Sequence, residues 1–269
     1  MQLGEDFDYQ PKQMRKIEDS ERSRLAQHCC PVVELRQYTL HPGMRDTLIE
    51  LFDREFVESQ EALGMKIIGQ FRDADNPNRF VWLRGFRDMP SRSEALKSFY
   101  GGPVWKAHSK AANATMIDSD NVLLLRPARP TSGFPLENSE RPAPGASESP
   151  RGLIVATIYY FNAPIDVGFV DSFERSMKPM LTDSGASILA YFITESSVNT
   201  FPALPVREGE HVLVWFSRFP DEAAYEDHAA ALARSPGWRR AVSEALANRL
   251  KGSPEVLKLS PTARSQLRG

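Results

Sequence analysis

Glu34, Arg36 and Tyr38 stand at every second position of the run Val32–Leu40, and Trp82 and Arg84 stand two apart in the run Arg79–Phe86. Residues two apart on an extended chain share a face. Each run therefore gathers its polar and aromatic groups on one side, and the set can take hold of a carboxylate or an enolate. Arg36 and Arg84 offer planar forks for an anion, Tyr38 a hydroxyl that donates and accepts, and Trp82 an aromatic wall. Glu34 becomes a general base if burial raises its pKa. His108, one turn after Trp105 in a helical stretch, is a second candidate base, although a lone helical histidine more often packs or faces water. Tyr160 and Trp215 match Tyr38 and Trp82 in a later part of the chain and would add an uncharged wall. Plain core packing is the simpler use of that pair, as an ion pair between Glu34 and Arg36 or Arg84 is of the charges.

Other chemistries find little material. No Gly-x-Gly-x-x-Gly, P-loop, Gly-x-Ser-x-Gly or His-Glu-x-x-His run occurs, and the five histidines are scattered. A haem on one histidine, His108 or His228, is the one cofactor left open, and the reading calls for none. Cys29 and Cys30 are the only cysteines and are adjacent, so they cannot staple distant segments; free thiols are expected. A net charge of −2 with dispersed Lys and Arg argues against nucleic acid. No apolar run approaches membrane-spanning length. Residues 1–27 are charged and lack the apolar core of a secretory signal, which leads to a cytoplasmic location. The expected partner is a small molecule, and a homodimer is left open.

The elements that position these groups come in two copies. Trp82-Leu83-Arg84-Gly85-Phe86 and Trp215-Phe216-Ser217-Arg218-Phe219 each precede an aspartate, Asp88 or Asp221, that opens a helical stretch. A second tryptophan follows at the same interval, Trp105 and Trp238, and both copies end in an apolar strand closed by Pro127 or Pro261. The openings align as Glu34 to Pro42 with Ala156 to Pro164. Within each copy the periodicity gives strand, helix, two strands, a helical pair and a last strand. The first copy has strands over 32–40, 65–71, 79–86 and 121–126 and helices over 44–63 and 91–114. The second has strands over 153–162, 187–194, 211–219 and 255–259 and helices over 168–182, 221–233 and 238–250. The domains are then a polar N-terminal arm (1–30), a first module (31–127), a Pro/Ser-rich linker (128–151), a second module (152–262) and a tail (263–269). Residues 195–210 make a long hairpin loop, read as a flap.

A βαββαβ unit covers one sheet face with helices and leaves the other bare. Strands this apolar cannot leave that face in water. The fold expected is α+β: two ferredoxin-like modules in tandem, their antiparallel sheets face to face in one chain. With the apolar side of the first strand, Val33 and Leu35, assigned to the helices, Glu34, Arg36 and Tyr38 would point into a chamber between the sheets.

Val33-Glu34-Leu35-Arg36-Gln37-Tyr38-Thr39-Leu40-His41-Pro42-Gly43 resembles the opening signature of the NIPSNAP family, and the hairpin ending in Trp82 and Phe86, the Trp105-Lys106-Ala107-His108 helix and the closing Leu-Leu-Arg-Pro agree with it. The second copy is similar in pattern but departs at its first strand, where Ala156 and Ile158 align with Glu34 and Arg36. The resemblance implies a dimeric α+β barrel, a superfamily that includes cofactor-independent monooxygenases, haem-binding enzymes and small-molecule binders. It implies no single chemistry. The function expected is binding of a small, partly apolar, anionic molecule, with proton transfer or monooxygenation as the enzymatic form. A non-catalytic scaffold or protein-interaction module is the alternative.

Overall fold

The computed structural model describes residues 29–136, 139–246 and 248–268, so the expected N-terminal arm, apart from Cys29 and Cys30, lies outside the described residues. The first half runs β1 (Val32–Leu40), α1, β2 (Lys66–Asp73), β3 (Arg79–Phe86), α2 (Met89–Gly101), α3 (Pro103–Asn113) and β4 (Met116–Pro127). The second repeats the order with β5 (Leu153–Phe161), α4, β6 (Ser187–Thr194), β7 (His211–Phe219), α5 (Glu222–Arg234), α6 (Pro236–Leu246) and β8 (Glu255–Pro261). α1 and α4 each contain a π-helical turn, Phe52–Phe56 within Arg45–Glu61 and Phe173–Met177 within Val167–Asp183. Asp88 and Asp221 cap α2 and α5 by accepting from the backbone N–H of Ser91 and Ala224, which is why both copies keep an aspartate there.

Each half forms a four-stranded antiparallel sheet, and the two join at both edges into a closed barrel of order β1-β3-β2-β8-β5-β7-β6-β4. The seams are short: Phe71–Asp73 pairs with Leu259–Pro261, and Leu125–Pro127 with Phe192–Thr194. Closure removes the free sheet edges. The bare faces do meet, as the sequence requires, but across a packed core. Val33, Leu35, Val81 and Leu83 from one sheet meet Ala156, Ile158, Val214 and Phe216 from the other, and all are buried.

Two segments beyond the last strands complete that core. Phe134, in the expected linker, and Leu267, in the expected tail, both enter the barrel cluster. They are anchored alike, next to β-bulges in β6 and β2: Ser132 Oγ donates to the carbonyl of Tyr191, and Ser265 Oγ accepts from the backbone N–H of Gln70. At Gly69, beside the bulge, an added Cβ would strike the ring of Phe71 and crowd Leu267. The repeat thus extends past the strands into a Ser-x-Phe or Ser-x-Leu plug.

Cys29 and Cys30 lie just before β1 with their side chains against one another. Among the described residues no helix is long and apolar enough to cross a membrane.

Candidate functional site

The outer faces of the sheets, under the helices, form two further cores, one per half. On β1 the residues facing barrel and helices alternate, and the assignment is the reverse of the one expected. Val33 and Leu35 enter the barrel, whereas Tyr38, with Trp82 of β3, belongs to the helix-side core. Glu34, Arg36 and Arg84 share that parity, so the set lies between the first sheet and α1–α2, not between the two sheets. Both faces of a sheet between two apolar layers are buried. Alternation therefore could not tell the barrel side from the helix side.

Within that layer Glu34, Arg36, Arg84 and Arg92 are all fully buried, at 0% exposure. Glu34 Oε2 accepts from Arg36 Nη1 (2.9 Å) and from Arg84 Nε and Nη2 (3.1 and 2.6 Å), while Oε1 accepts from Arg92 Nε (2.7 Å). Arg84 Nη1 also donates to Gln60 Oε1 of α1 at 2.8 Å, and Arg36 Nε to the Tyr38 hydroxyl at 3.0 Å. Aromatic rings line the guanidinium planes: Arg36 and Arg84 sit 5.5 and 5.0 Å from the Trp82 ring, and Arg92 sits 5.9 Å from Phe86. Three guanidinium groups thus face one carboxylate, and among the described residues no other acid pairs with them. Each buried ion without a counter-charge costs several kcal/mol.

Three donors in the cluster lack a hydrogen-bond partner among the described residues: Arg36 Nη2, Arg92 Nη2 and Trp82 Nε1. Of these residues Trp82 alone lines a cavity of about 30 Å³, whose walls also include Tyr38, Phe56, Gln60, Tyr100 and Trp105 but none of the three arginines. That space holds about one water-sized group. Surface clefts of about 460 and 610 Å³ lie elsewhere, and neither is lined by Arg36, Arg84 or Trp82. Buried charge and unpaired donors, not volume, mark the cluster of Glu34, Arg36, Arg84 and Arg92 as the candidate site.

The second half closes this site. The flap, residues 195–210, leaves β6 and runs along β4, with the backbone N–H of Glu195 and Arg207 donating to Leu124 and Val122. At its tip Asn199 Oδ1 and Thr200 Oγ1 accept from Arg92 Nη1 at 2.9 and 3.2 Å. Ser93 Oγ donates to the Thr200 carbonyl, and Phe201 stacks on Tyr100 at 5.8 Å. A loop of one module caps the polar cluster of the other.

Glu34, Arg36, Tyr38, Trp82 and Arg84 are therefore brought together as expected, in a different layer. Burial alone would raise the pKa of Glu34, but Arg84, Arg36 and Arg92 outweigh that and hold it well below the usual carboxylate range. Tyr38 moves the other way, burial pushing its phenol up. His108 stands outside the cluster on the far side of Phe56, its Nε2 3.4 Å from Glu55 Oε2 and its side chain 32% exposed.

Tyr160 and Trp215 are likewise elsewhere. Trp215 packs on Tyr159 and Phe173 under the second helical layer, and Tyr160 donates its hydroxyl to Glu255 while accepting from Arg207. The strand register explains the misalignment: Trp82 faces Arg36, and Trp215 faces Thr157. The counterpart of Tyr38 is thus Tyr159, not Tyr160, and those of Glu34, Arg36 and Arg84 are Val155, Thr157 and Ser217. A slip of one residue moves every side chain to the opposite face. His228 is buried against Ser184, and among the described residues no three His, Cys, Asp or Glu side chains gather as a cation site.

Arg92 and the flap tip were not singled out from the sequence. A signal existed for Arg92, because it shares the buried face of α2 with Ala95, Leu96 and Phe99, an apolar stripe where an arginine needs a reason. Nothing local marks Asn199 or Thr200, whose role depends on the other module.

Residues 33–130 match the NIPSNAP family model. No curated protein matches the chain. A candidate monooxygenase from Lactobacillus acidophilus superposes over 86% of this chain and 94% of its own, with TM-score 0.50 and 13% identity. Another, from Fusobacterium nucleatum, covers 87% and 93% with TM-score 0.50 and 8% identity. A NIPSNAP family protein from Agrobacterium tumefaciens covers 36% of this chain and 91% of its own at 21% identity and TM-score 0.34. At these identities the first two bear on the fold of the whole chain and on nothing finer.

Proposed function

Taking a chain whose residues 33–130 form a NIPSNAP domain, we propose that it binds a small anionic molecule beneath α1 and α2 of its first module, under the flap of its second. The observation that carries this reading is the fully buried cluster of three arginines around one glutamate, with unpaired donors on Arg36, Arg92 and Trp82. An anion that accepts from those donors offsets the cost of the surplus charge. Binding is favoured over proton transfer because Glu34 stays ionised and hydrogen-bonded and His108 lies outside the cluster.

A thermal-shift screen of small anions against the wild type and Arg36→Gln tests it. A ligand at 100 times its Kd stabilises the native state by about 2.7 kcal/mol, a shift of several degrees for a chain of this size. That shift should vanish in the variant. Absence of a shift with every anion favours the scaffold reading. Oxygenation, prompted by the names of the two full-length neighbours, is a second reading, tested by oxygen uptake once a ligand is in hand.

A further inference from the structure

The surface clefts of about 460 and 610 Å³ are two parts of one groove, because Arg126 and Glu195 line both. The larger part is bounded by Cys29, whose backbone N–H is fixed on the carbonyl of Phe134, and by Met89 and Pro130. The smaller part continues against the flap, where Val198 is 80% exposed, to Glu208 and Ile165. Residues 1–28 therefore join the described residues at one end of this groove.

Several charges along the groove are matched. Arg87 pairs with Asp88, Arg129 with Asp171 and Glu174, and Glu210 with Arg207 and Lys251. Among the described residues Arg126, Glu195 and Glu208 enter no ion pair; the two glutamates accept from the backbone N–H of Ser197 and Asn199. Counting back from Cys29, the chain carries Arg24 and Arg22, then Glu21, Asp19 and Glu18, then Lys16, Arg15 and Lys12. Beyond the first two, that order complements the groove: acid to reach Arg126, then base to reach Glu208. The stretch from Glu21 to Cys29 can extend to about 26 Å, enough to cross the larger cleft.

We propose that residues 12–24 dock as an intramolecular strap in this groove, with Glu18, Asp19 and Glu21 toward Arg126 and Lys12, Arg15 and Lys16 toward Glu208. Met14 and Ile17, set among those charges, meet the exposed Val198 and its neighbour Ile165. Complementary charge fixes the register. The tether gives the segment an effective concentration in about the millimolar range, so modest contacts suffice. Because Glu195 and Glu208 belong to the flap, the strap bears on the same loop whose tip accepts from Arg92.

Trypsin digestion of the full chain, with cleavage after Lys16 followed by mass spectrometry, tests the strap. Cleavage in a segment that opens and closes rapidly tracks the population of its open form, so it should run at least about tenfold slower than in a synthetic peptide of residues 1–28. Arg126→Glu and, independently, Glu208→Gln should each speed it about two- to fivefold, the worth of one exposed ion pair. Arg240→Glu, exposed on α6 and outside the groove, should not. Circular dichroism establishes that each variant is folded. Cleavage as fast in the full chain as in the peptide would overturn the strap. Slow cleavage that neither groove variant changes would put the segment elsewhere and overturn the groove. Protection that grows with protein concentration would make the occupant the segment of a second copy and overturn the intramolecular form.

Discussion

Glu34→Gln is the substitution that probes the cluster most directly. It keeps the side-chain shape and removes the one negative charge that Arg36, Arg84 and Arg92 share. Removing one partner of a buried ion pair costs about 3–5 kcal/mol, because the other charge is left uncompensated. Here three guanidinium groups lose their counter-charge at once, all at 0% exposure, so the upper half of that range is expected. At about 2–4 °C per kcal/mol for a chain of this size, a loss of about 4 kcal/mol lowers Tm by about 8–16 °C.

The pairing itself is read from a double-mutant cycle. Arg84→Met removes one of the three charges, so Glu34→Gln with Arg84→Met should cost less than the sum of the singles by more than about 1 kcal/mol. The pH dependence follows from the depressed pKa of Glu34. A carboxyl whose folded pKa lies below its unfolded value contributes fully above the ordinary carboxylate pKa of about 4.3, and loses that contribution as the pH falls through the folded value. The stability difference between wild type and Glu34→Gln should therefore be flat above about pH 5.5 and shrink in stronger acid. Urea unfolding at several pH values measures both. A Tm loss under about 2 °C, or strict additivity in the cycle, would refute the cluster as described.

Three further outcomes follow. Phe134→Ala and Leu267→Ala should each destabilise the whole barrel, by about 3–5 and 2–5 kcal/mol in urea unfolding, because each leaves a hole in the inter-sheet core. His228 is buried and its pKa is lowered by burial, so its contribution is complete above about pH 6.5 and is lost as the pH drops; His228→Gln should flatten the stability profile between about pH 6.5 and 5, as measured by chemical denaturation. Phe201→Ala removes the stack on Tyr100 and should speed proteolytic cleavage within 195–210 while leaving global Tm within about 1 °C.

Much of the fold was legible because its signals are local. β1, β3, β6 and β7 begin and end where aromatic and β-branched runs do, and the paired aspartate caps and tryptophans announce the repeat. The helix-side location of the site was not legible, since Leu35 and Tyr38 are both buried and differ only in which apolar layer receives them. The plugs escaped notice for a related reason. Phe134 is one apolar residue in a Pro-rich stretch, and only the closed barrel gives it a place to go.

The register also shows why one half carries the buried charges. At the positions of Glu34, Arg36, Arg84 and Arg92 the second module has Val155, Thr157, Ser217 and Tyr225, and its helix-side core closes with Tyr225 on Phe219 where Arg92 lies over Phe86. The ring of Tyr225 does without a counter-ion what Arg92 does with one, so the second layer can be apolar and self-sufficient. The first is not: three buried guanidinium groups share one carboxylate there, under the flap. The flap that supplies the cover grows from the module without the charges. Joining the two in one chain gives the polar site a roof that two identical subunits of the second kind would have no use for, and two of the first kind would have no residues 195–210 to build.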